Sequence, residues 1–233
     1  MSTLAWNCKR LGNRRTVRAL EKVVSSEDPN FIFLMETKLI VSEMIGIKES
    51  LNRTQVMVVP CKGRSGGLAL LWKKELKVDV QSYSDSHIDA IVSPGEDGLQ
   101  WRLASFYGNL ETSKREESWR LLKRLSSLFS LPWVCLGDFN ELMYGAEKEG
   151  GNPHPVKQME NFCEVINACN LRDLGYTGQD FTWCRRLGNR GWVRERLDKV
   201  LVSTNWAAIF PQTRLHHKLD SSFDHCILVL KDV

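Results

Sequence analysis

Asn7, Glu36, Asp138 with Asn140, Asp198, and Asp224 with His225 share one local context: an apolar strand candidate meets a polar residue. The clearest case is Trp133-Val134-Cys135-Leu136-Gly137-Asp138-Phe139-Asn140. An apolar strand ends at a glycine and then offers a carboxylate and an amide two residues apart, on one side of an extended segment. Each position alone has a plain structural explanation. Asn7 can cap the next turn. Glu36 can be a solvated strand end, and Asp198 can pair with Arg196 or Lys199. A lone His225 is most often a satisfied histidine at a core edge. The same context at every position favours convergence on one centre.

Phosphodiester hydrolysis is the chemistry that needs such a set. The diester is anionic and repels hydroxide, and a hard divalent cation relieves that repulsion at a phosphate oxygen. Mg²⁺ prefers one or two carboxylates and keeps several waters, so Glu36 is a natural ligand. Asp138 can accept a proton from water while Asn140 orients it. His225 can donate to the phosphate while a carboxylate holds its ring.

These residues must be placed by a fold of 233 residues, a length that suits one large α/β or sandwich domain spanning 1–233. The chain is 42% hydrophobic and 26% charged, ordinary for a globular protein. No apolar run has the length of a membrane span, and Met1 to Trp6 lacks the basic start and apolar core of a signal peptide. Seven cysteines without a C-x-x-C pair read as reduced thiols in an intracellular protein.

The net charge of +4 is unremarkable, but its distribution is not. Lys9, Arg10, Arg14, Arg15 and Arg18 precede the first acid of their region, Glu21. Arg185, Arg186, Arg190, Arg194, Arg196 and Lys199 are opposed only by Glu195 and Asp198. Any one of these is most simply a solvated surface residue. Two dense clusters beside the chemical positions point to a polyanion.

Periodicity predicts strands at 4–7, 31–35, 55–60, 68–72, 78–83, 88–93 and 101–107, one opening at Trp133, and others at 199–203 and 226–230. Helices are expected at 14–25, 41–51, 113–128 and 156–168. The polar stretch 145–155 reads as a loop, and 181–185 with 192–197 as a hairpin. Two packed sheets with helices outside would bury these apolar faces.

The chain resembles the endonuclease/exonuclease/phosphatase superfamily, which includes DNase I and the apurinic/apyrimidinic endonucleases. Trp6-Asn7, Met35-Glu36-Thr37, Tyr107-Gly108, Gly137-Asp138-Phe139-Asn140, Arg196-Leu197-Asp198 and Asp224-His225 occur in the family's order. Within it, Trp6-Asn7-Cys8 before Leu11-Gly12-Asn13, Phe106-Tyr107-Gly108, Phe181-Thr182-Trp183 and Arg194 to Leu201 are most similar to the endonuclease domain of plant LINE-type retrotransposons. Such domains are followed by a reverse transcriptase, and this chain stops just after the final histidine motif, as an excised or truncated domain would.

The resemblance implies a four-layer α/β sandwich of two mixed sheets flanked by helices, and a Mg²⁺- or Mn²⁺-dependent enzyme. Glu36 would be the principal metal ligand, with Asn7 supporting the metal or the phosphate. Asp138 would activate water with Asn140. His225, paired with Asp198, would contact the scissile phosphate. Asp224 would lie near the metal or assist the water, and Tyr107 would contact the phosphate or stabilise the leaving group. The implied function is nicking of double-stranded DNA, with nuclear access, to prime reverse transcription. The alternatives are a weakened or inactive DNA-binding remnant and a phosphatase. A monomer is expected.

Three departures stand out. Lys9 replaces an acid of the apurinic endonucleases, which favours a single metal. Arg10 replaces a glycine, which would strain a turn of positive φ. Phe223 replaces a serine, which would loosen Asp224 and His225. DNA would be held by Arg14 and Arg15 on one side and by Arg185, Arg186, Arg190 and Arg194 of the hairpin on the other.

Overall fold

A computed structural model describes residues 1–53, 55–93, 98–188 and 191–232. In chain order the main elements are β1 (Ser2–Asn7), α1 (Arg14–Glu27), β2 (Phe31–Met35), α2 (Val41–Ser50), β3 (Gln55–Val59), β4 (Leu68–Trp72), β5 (Lys77–Ser84), β6 (His87–Ser93), β7 (Trp101–Tyr107), α3 (Arg115–Leu128) and β8 (Trp133–Asp138). The second part adds β9 (Lys148–Glu149), α4 (Val156–Ala168), β10 (Leu171–Asp173), β11 (Thr177–Gly178), β12 (Trp183–Arg186), β13 (Trp192–Glu195), β14 (Asp198–Ser203), α5 (Thr204–Ile209), β15 (Thr213–Lys218) and β16 (Ile227–Asp232).

One mixed sheet runs β11-β15-β16-β1-β2-β4-β3 and the other β10-β14-β8-β7-β6-β5. Period-two alternation builds four layers from them. Ala5, Phe31, Phe33, Leu70, Leu103, Val134, Leu136, Val200 and Leu228 meet in the core between the sheets. From the same strands, Leu4, Trp6, Ile32 and Leu34 point outward into a second core with Leu20 and Val24 of α1 and Met44 of α2. On the far side, Ala104, Phe106, Cys135 and Leu201 pack against Trp119, Leu122 and Leu125 of α3 and Phe162 and Val165 of α4.

The same parity positions the site. Asn7 continues the inward side that carries Ala5, Met35 that of Phe33, Tyr107 that of Leu103, and Asp138 that of Leu136. Asp198 begins the side that carries Val200. The parallel pairing of β1 with β2 and of β7 with β8, with β14 antiparallel to β8, brings these strand ends to one end of the sandwich. The chemical positions are therefore where the apolar core between the sheets gives way to polar side chains.

The helix and strand expectations differ from the structure in a few places. The expected loop 145–155 contains β9, which pairs with β13, so the hairpin is the major part of a third sheet, β12-β13-β9. β15 escapes apolar periodicity because its buried side is Thr213, Leu215 and His217. All seven cysteines are free thiols.

Candidate active site

Asp138 is completely buried, and three backbone devices hold it. Its register partners are Tyr107 on one side and Asp198 on the other. Its N–H donates to Met35 Sδ at 3.3 Å, tying one sheet to the other. Its Oδ1 accepts from the N–H of Asn140 at 2.9 Å. Asn140 does not continue the strand. It turns back in a left-handed conformation with φ 53°, which asparagine tolerates, and its Nδ2 donates to Gly108 O at 2.9 Å. The two groups thus meet through a turn, not through the extended spacing expected from sequence. Glycine is needed at 108, where a Cβ would lie 2.2 Å from Phe139 O.

From Asp138 the polar chain runs across the gap between the sheets. Asn7 Nδ2 donates to Asp138 Oδ2 at 2.9 Å and stands 3.4 Å from His225 Nε2. His225 Nδ1 lies 3.0 Å from Asp198 Oδ2. A carboxylate only accepts, so Nδ1 carries the proton and Nε2 is left to accept from Asn7 in the neutral ring. Asp198 is fixed from behind, because its own N–H and that of Leu197 both donate to Thr182 Oγ1, at 2.9 and 3.0 Å. Trp6 Nε1 donates to the His225 carbonyl at 3.3 Å.

Burial and charge set the protonation. Burial, then the neighbouring Asp198 charge, pushes the Asp138 carboxyl up to about 6, against the opposing pull of His225 and Asn7. Burial disfavours the His225 imidazolium, but the charge and hydrogen bond of Asp198 outweigh it and raise that pKa. Burial and the charges of Asp138 and Glu36 raise the Tyr107 phenol, which stays protonated. Its hydroxyl donates to Glu36 Oε1 at 3.1 Å.

Glu36 directly follows β2 with φ 53°, and its Oε1 also accepts from the Gly66 N–H at 3.0 Å. Its Oε2 faces Lys38 Nζ at 3.6 Å. Among the described residues Asn7 Oδ1 has only a long contact, 3.4 Å from the Lys9 N–H. One carboxylate oxygen and one amide oxygen are thus weakly engaged, and both are the hard donors that Mg²⁺ or Mn²⁺ takes. Asp138, Asp198 and His225 also offer ligand atoms within 4.8 Å of one another. That trio is already linked by Asn7 and by the Asp198–His225 contact, so Glu36 with Asn7 suits a hard ion better.

Other candidates lie elsewhere. Asp224 Oδ2 accepts from the Lys9 ammonium, and no side-chain hydrogen bond joins it to Glu36, Asn7 or Asp138 among the described residues. Burial and the positive charges of Lys38 and Arg185 lower the Lys9 pKa. The left-handed φ falls on Lys9 at 51° and not on Arg10, so losing glycine at 10 brings no such strain there. Phe223 meets Trp6 edge-on at 4.9 Å and braces the residue that holds the His225 carbonyl.

Arg14, Arg15, Arg185, Arg186 and Arg194 are exposed. Arg194 is bound to Glu149 at 2.5 Å, and Arg190 lies outside the described residues. Arg196 and Lys199 leave the expected basic surface. Arg196 is 4% exposed and Lys199 0%, and both pair with Glu147, Arg196 also with Asp173. Neither pairs with Asp198. Thr182, Met35 and Trp6 stand in the quoted motifs but were given no role in the site from sequence, because a threonine, a methionine and a tryptophan beside apolar runs do not reveal which neighbour they hold.

Two mixed sheets with helices on both outer faces, and polar strand ends gathered at one end, define the DNase I-like class of α/β sandwiches. Residues 4–219 match the profile of the Endonuclease/Exonuclease/phosphatase family, and the chain belongs to that family, one of divalent-metal-dependent phosphodiesterases and nucleases. A comparison with curated proteins gave no match. Among solved structures, the chain is similar to the AP endonuclease LMAP from Leishmania major, at TM-score 0.72 and 20% identity over 98% of this chain and 86% of that one. It is also similar to the 3′-5′ exonuclease NExo from Neisseria meningitidis, at 0.69 and 18% over 100% and 99%. The endonuclease domain of TRAS1, a telomere-specific non-LTR retrotransposon, gives 0.69 and 12% over 99% and 97%. No helix among the described residues is long and apolar enough to cross a membrane.

Proposed function

We propose that the chain is a metal-dependent DNA endonuclease that nicks one strand of double-stranded DNA to prime reverse transcription of a LINE-type element. The observation that carries this reading is the buried His225 imidazole, held by Asp198 at Nδ1 and meeting Asn7 near Asp138 at Nε2, at the same end of the sandwich as the Glu36 carboxylate held by Tyr107. Glu36 and Asn7 would hold Mg²⁺ or Mn²⁺, and the bound ion would supply charge neutralisation at the phosphate. Asp138 takes a proton from the attacking water, and Asn140 holds the loop that aims it. Water oxygen bonds to phosphorus as the bond to the 3′ oxygen breaks, the departing 3′ oxygen takes a proton from solvent, and the products are a 3′-hydroxyl and a 5′-phosphate. His225 in its protonated form donates to the phosphate, with Asp198 stabilising that form. Tyr107 keeps Glu36 oriented.

In this reading residues 1–233 act as one monomeric endonuclease domain on nuclear DNA, joined in a full element to a reverse transcriptase. Arg14, Arg15, Arg185 and Arg186, with Arg194, follow the DNA backbone. The exposed arginines favour a long polyanion over a small phosphoester. The test is conversion of supercoiled plasmid to open circles in Mg²⁺, Mn²⁺ or EDTA. Glu36→Gln, Asp138→Asn and His225→Ala should each lose nicking while keeping their circular dichroism spectrum. Full activity in Asp138→Asn and His225→Ala would sink the mechanism. Salt-sensitive DNA binding without nicking would favour an inert remnant, and turnover of soluble phosphoesters alone a phosphatase.

A further inference from the structure

Asp224, next to His225 at the edge of the site, is a carboxylate that already has its cation. Its Oδ2 accepts from the Lys9 ammonium, and the pair sits at the open rim, with the two side chains 52% and 27% exposed. Both ends are anchored through the backbone. Lys9 is held in a left-handed turn directly after Cys8, whose N–H donates to Met35 O at 3.1 Å. The Asp224 carbonyl accepts from the Cys184 N–H at 2.9 Å, and the Cys226 N–H donates to Thr182 O at 2.7 Å. Lys9 is two residues from Asn7 and Asp224 adjoins His225, so the ion pair spans the two segments that deliver the reactive amide and imidazole. A non-glycine residue in a left-handed turn is uncommon, and such residues gather at functional sites.

We infer that the Lys9 ammonium is a built-in cation: it withdraws Asp224 from the metal shell, holds the chain to a single divalent ion at Glu36, and offers its remaining N–H groups to a non-bridging oxygen of the scissile phosphate. The inference rests on the metal-dependent phosphodiesterase reading of this site. An ammonium has three donors, and the Asp224 carboxylate does not exhaust them. A divalent ion placed on the same carboxylate would stand beside a like charge, whereas a phosphate oxygen would be drawn to it.

The test counts Mn²⁺ bound to the full chain by electron paramagnetic resonance, without DNA or turnover. The wild type should take a single ion, Asp224→Asn should keep it with unchanged affinity, and Lys9→Asp should take a second. A second ion on the wild type, or loss of the ion in Asp224→Asn, would overturn the inference while leaving metal-dependent hydrolysis standing. A duplex oligonucleotide in Ca²⁺ supplies the other arm. Lys9→Met should weaken binding by about tenfold and lower the salt slope by about one, and Lys9→Arg should restore both. Binding unchanged in Lys9→Met would remove the phosphate contact. Nicking by a wild type that binds a single ion would support both readings, and no Mn²⁺ uptake at all would overturn both.

Discussion

Asp138 and Asp198 are register partners across two antiparallel strands, and the two nitrogens of the His225 ring face their carboxylates at 4.0 and 3.0 Å. Burial and then the Asp198 charge disfavour ionisation of Asp138, and the imidazole opposes that effect. The arrangement separates their tasks: Asp198 holds the ring, while Asp138 receives the Asn7 amide and the Asn140 N–H.

Asp198→Asn should therefore lose nicking without losing the fold. The bonds from the backbone to Thr182 do not involve the Asp198 side chain. An asparagine can offer N–H to Nδ1 and invert the tautomer, so the turnover number should fall by about 10²–10⁴-fold. Steady-state kinetics together with a thermal melt checks this, and a collapsed melt would assign Asp198 to stability instead.

Gly108→Ala tests the turn behind Asn140. The added Cβ would meet the Phe139 backbone, which cannot swing aside as a flexible side chain would. Stability should drop by about 1–3 kcal/mol, as for other overpacked sites. Activity measured well below the melting temperature should drop as well, because Gly108 O anchors Asn140. An unchanged urea midpoint would refute the steric argument.

Glu27 gives a pH dependence away from the site. The hydrogen bond from Lys218, against a smaller opposing effect of burial and with help from Lys231, holds its carboxyl below the usual range. A carboxyl with a depressed folded pKa adds stability above its unfolded pKa of about 4.3 and loses it as pH falls through the folded value. Glu27→Gln should thus melt below the wild type at pH 7, and the two curves should converge near the acid end of the titration. A constant gap at all pH values would show that the loss comes from packing.

The hairpin arginines should not be equivalent. Arg185 and Arg186 are exposed, whereas Arg194 already binds Glu149. The double change Arg185→Ala, Arg186→Ala should lower the slope of log affinity against log salt by about 2, and Arg194→Ala by less. Fluorescence anisotropy on duplex DNA at several salt concentrations decides it.

Much of the fold was legible because its strands are apolar on both faces. Phe31–Met35, Leu68–Trp72 and Trp101–Tyr107 have the same limits in sequence and structure. β15 was not legible, since its buried positions include a threonine and a histidine. Surface charge misled in the same way. Arg196 and Lys199 look like their exposed neighbours until Glu147, about fifty residues earlier in the chain, is seen to fold over them. At the site, residue types and their order could be read, but not the partner of Asp224, because an ion pair between residues 9 and 224 leaves no local pattern.

β16 lies between β15 and β1 in the interior of its sheet, so the strand that follows His225 is inserted among others and is not added at an edge. Asn7 and His225 meet although 218 residues separate them. During synthesis the first strand must wait, with one flank unpaired, until β16 has left the ribosome. No partial product can assemble the Asn7–His225 contact, and a premature stop upstream of β16 would open the middle of the sheet and release a chain prone to misassembly, not a weaker nuclease.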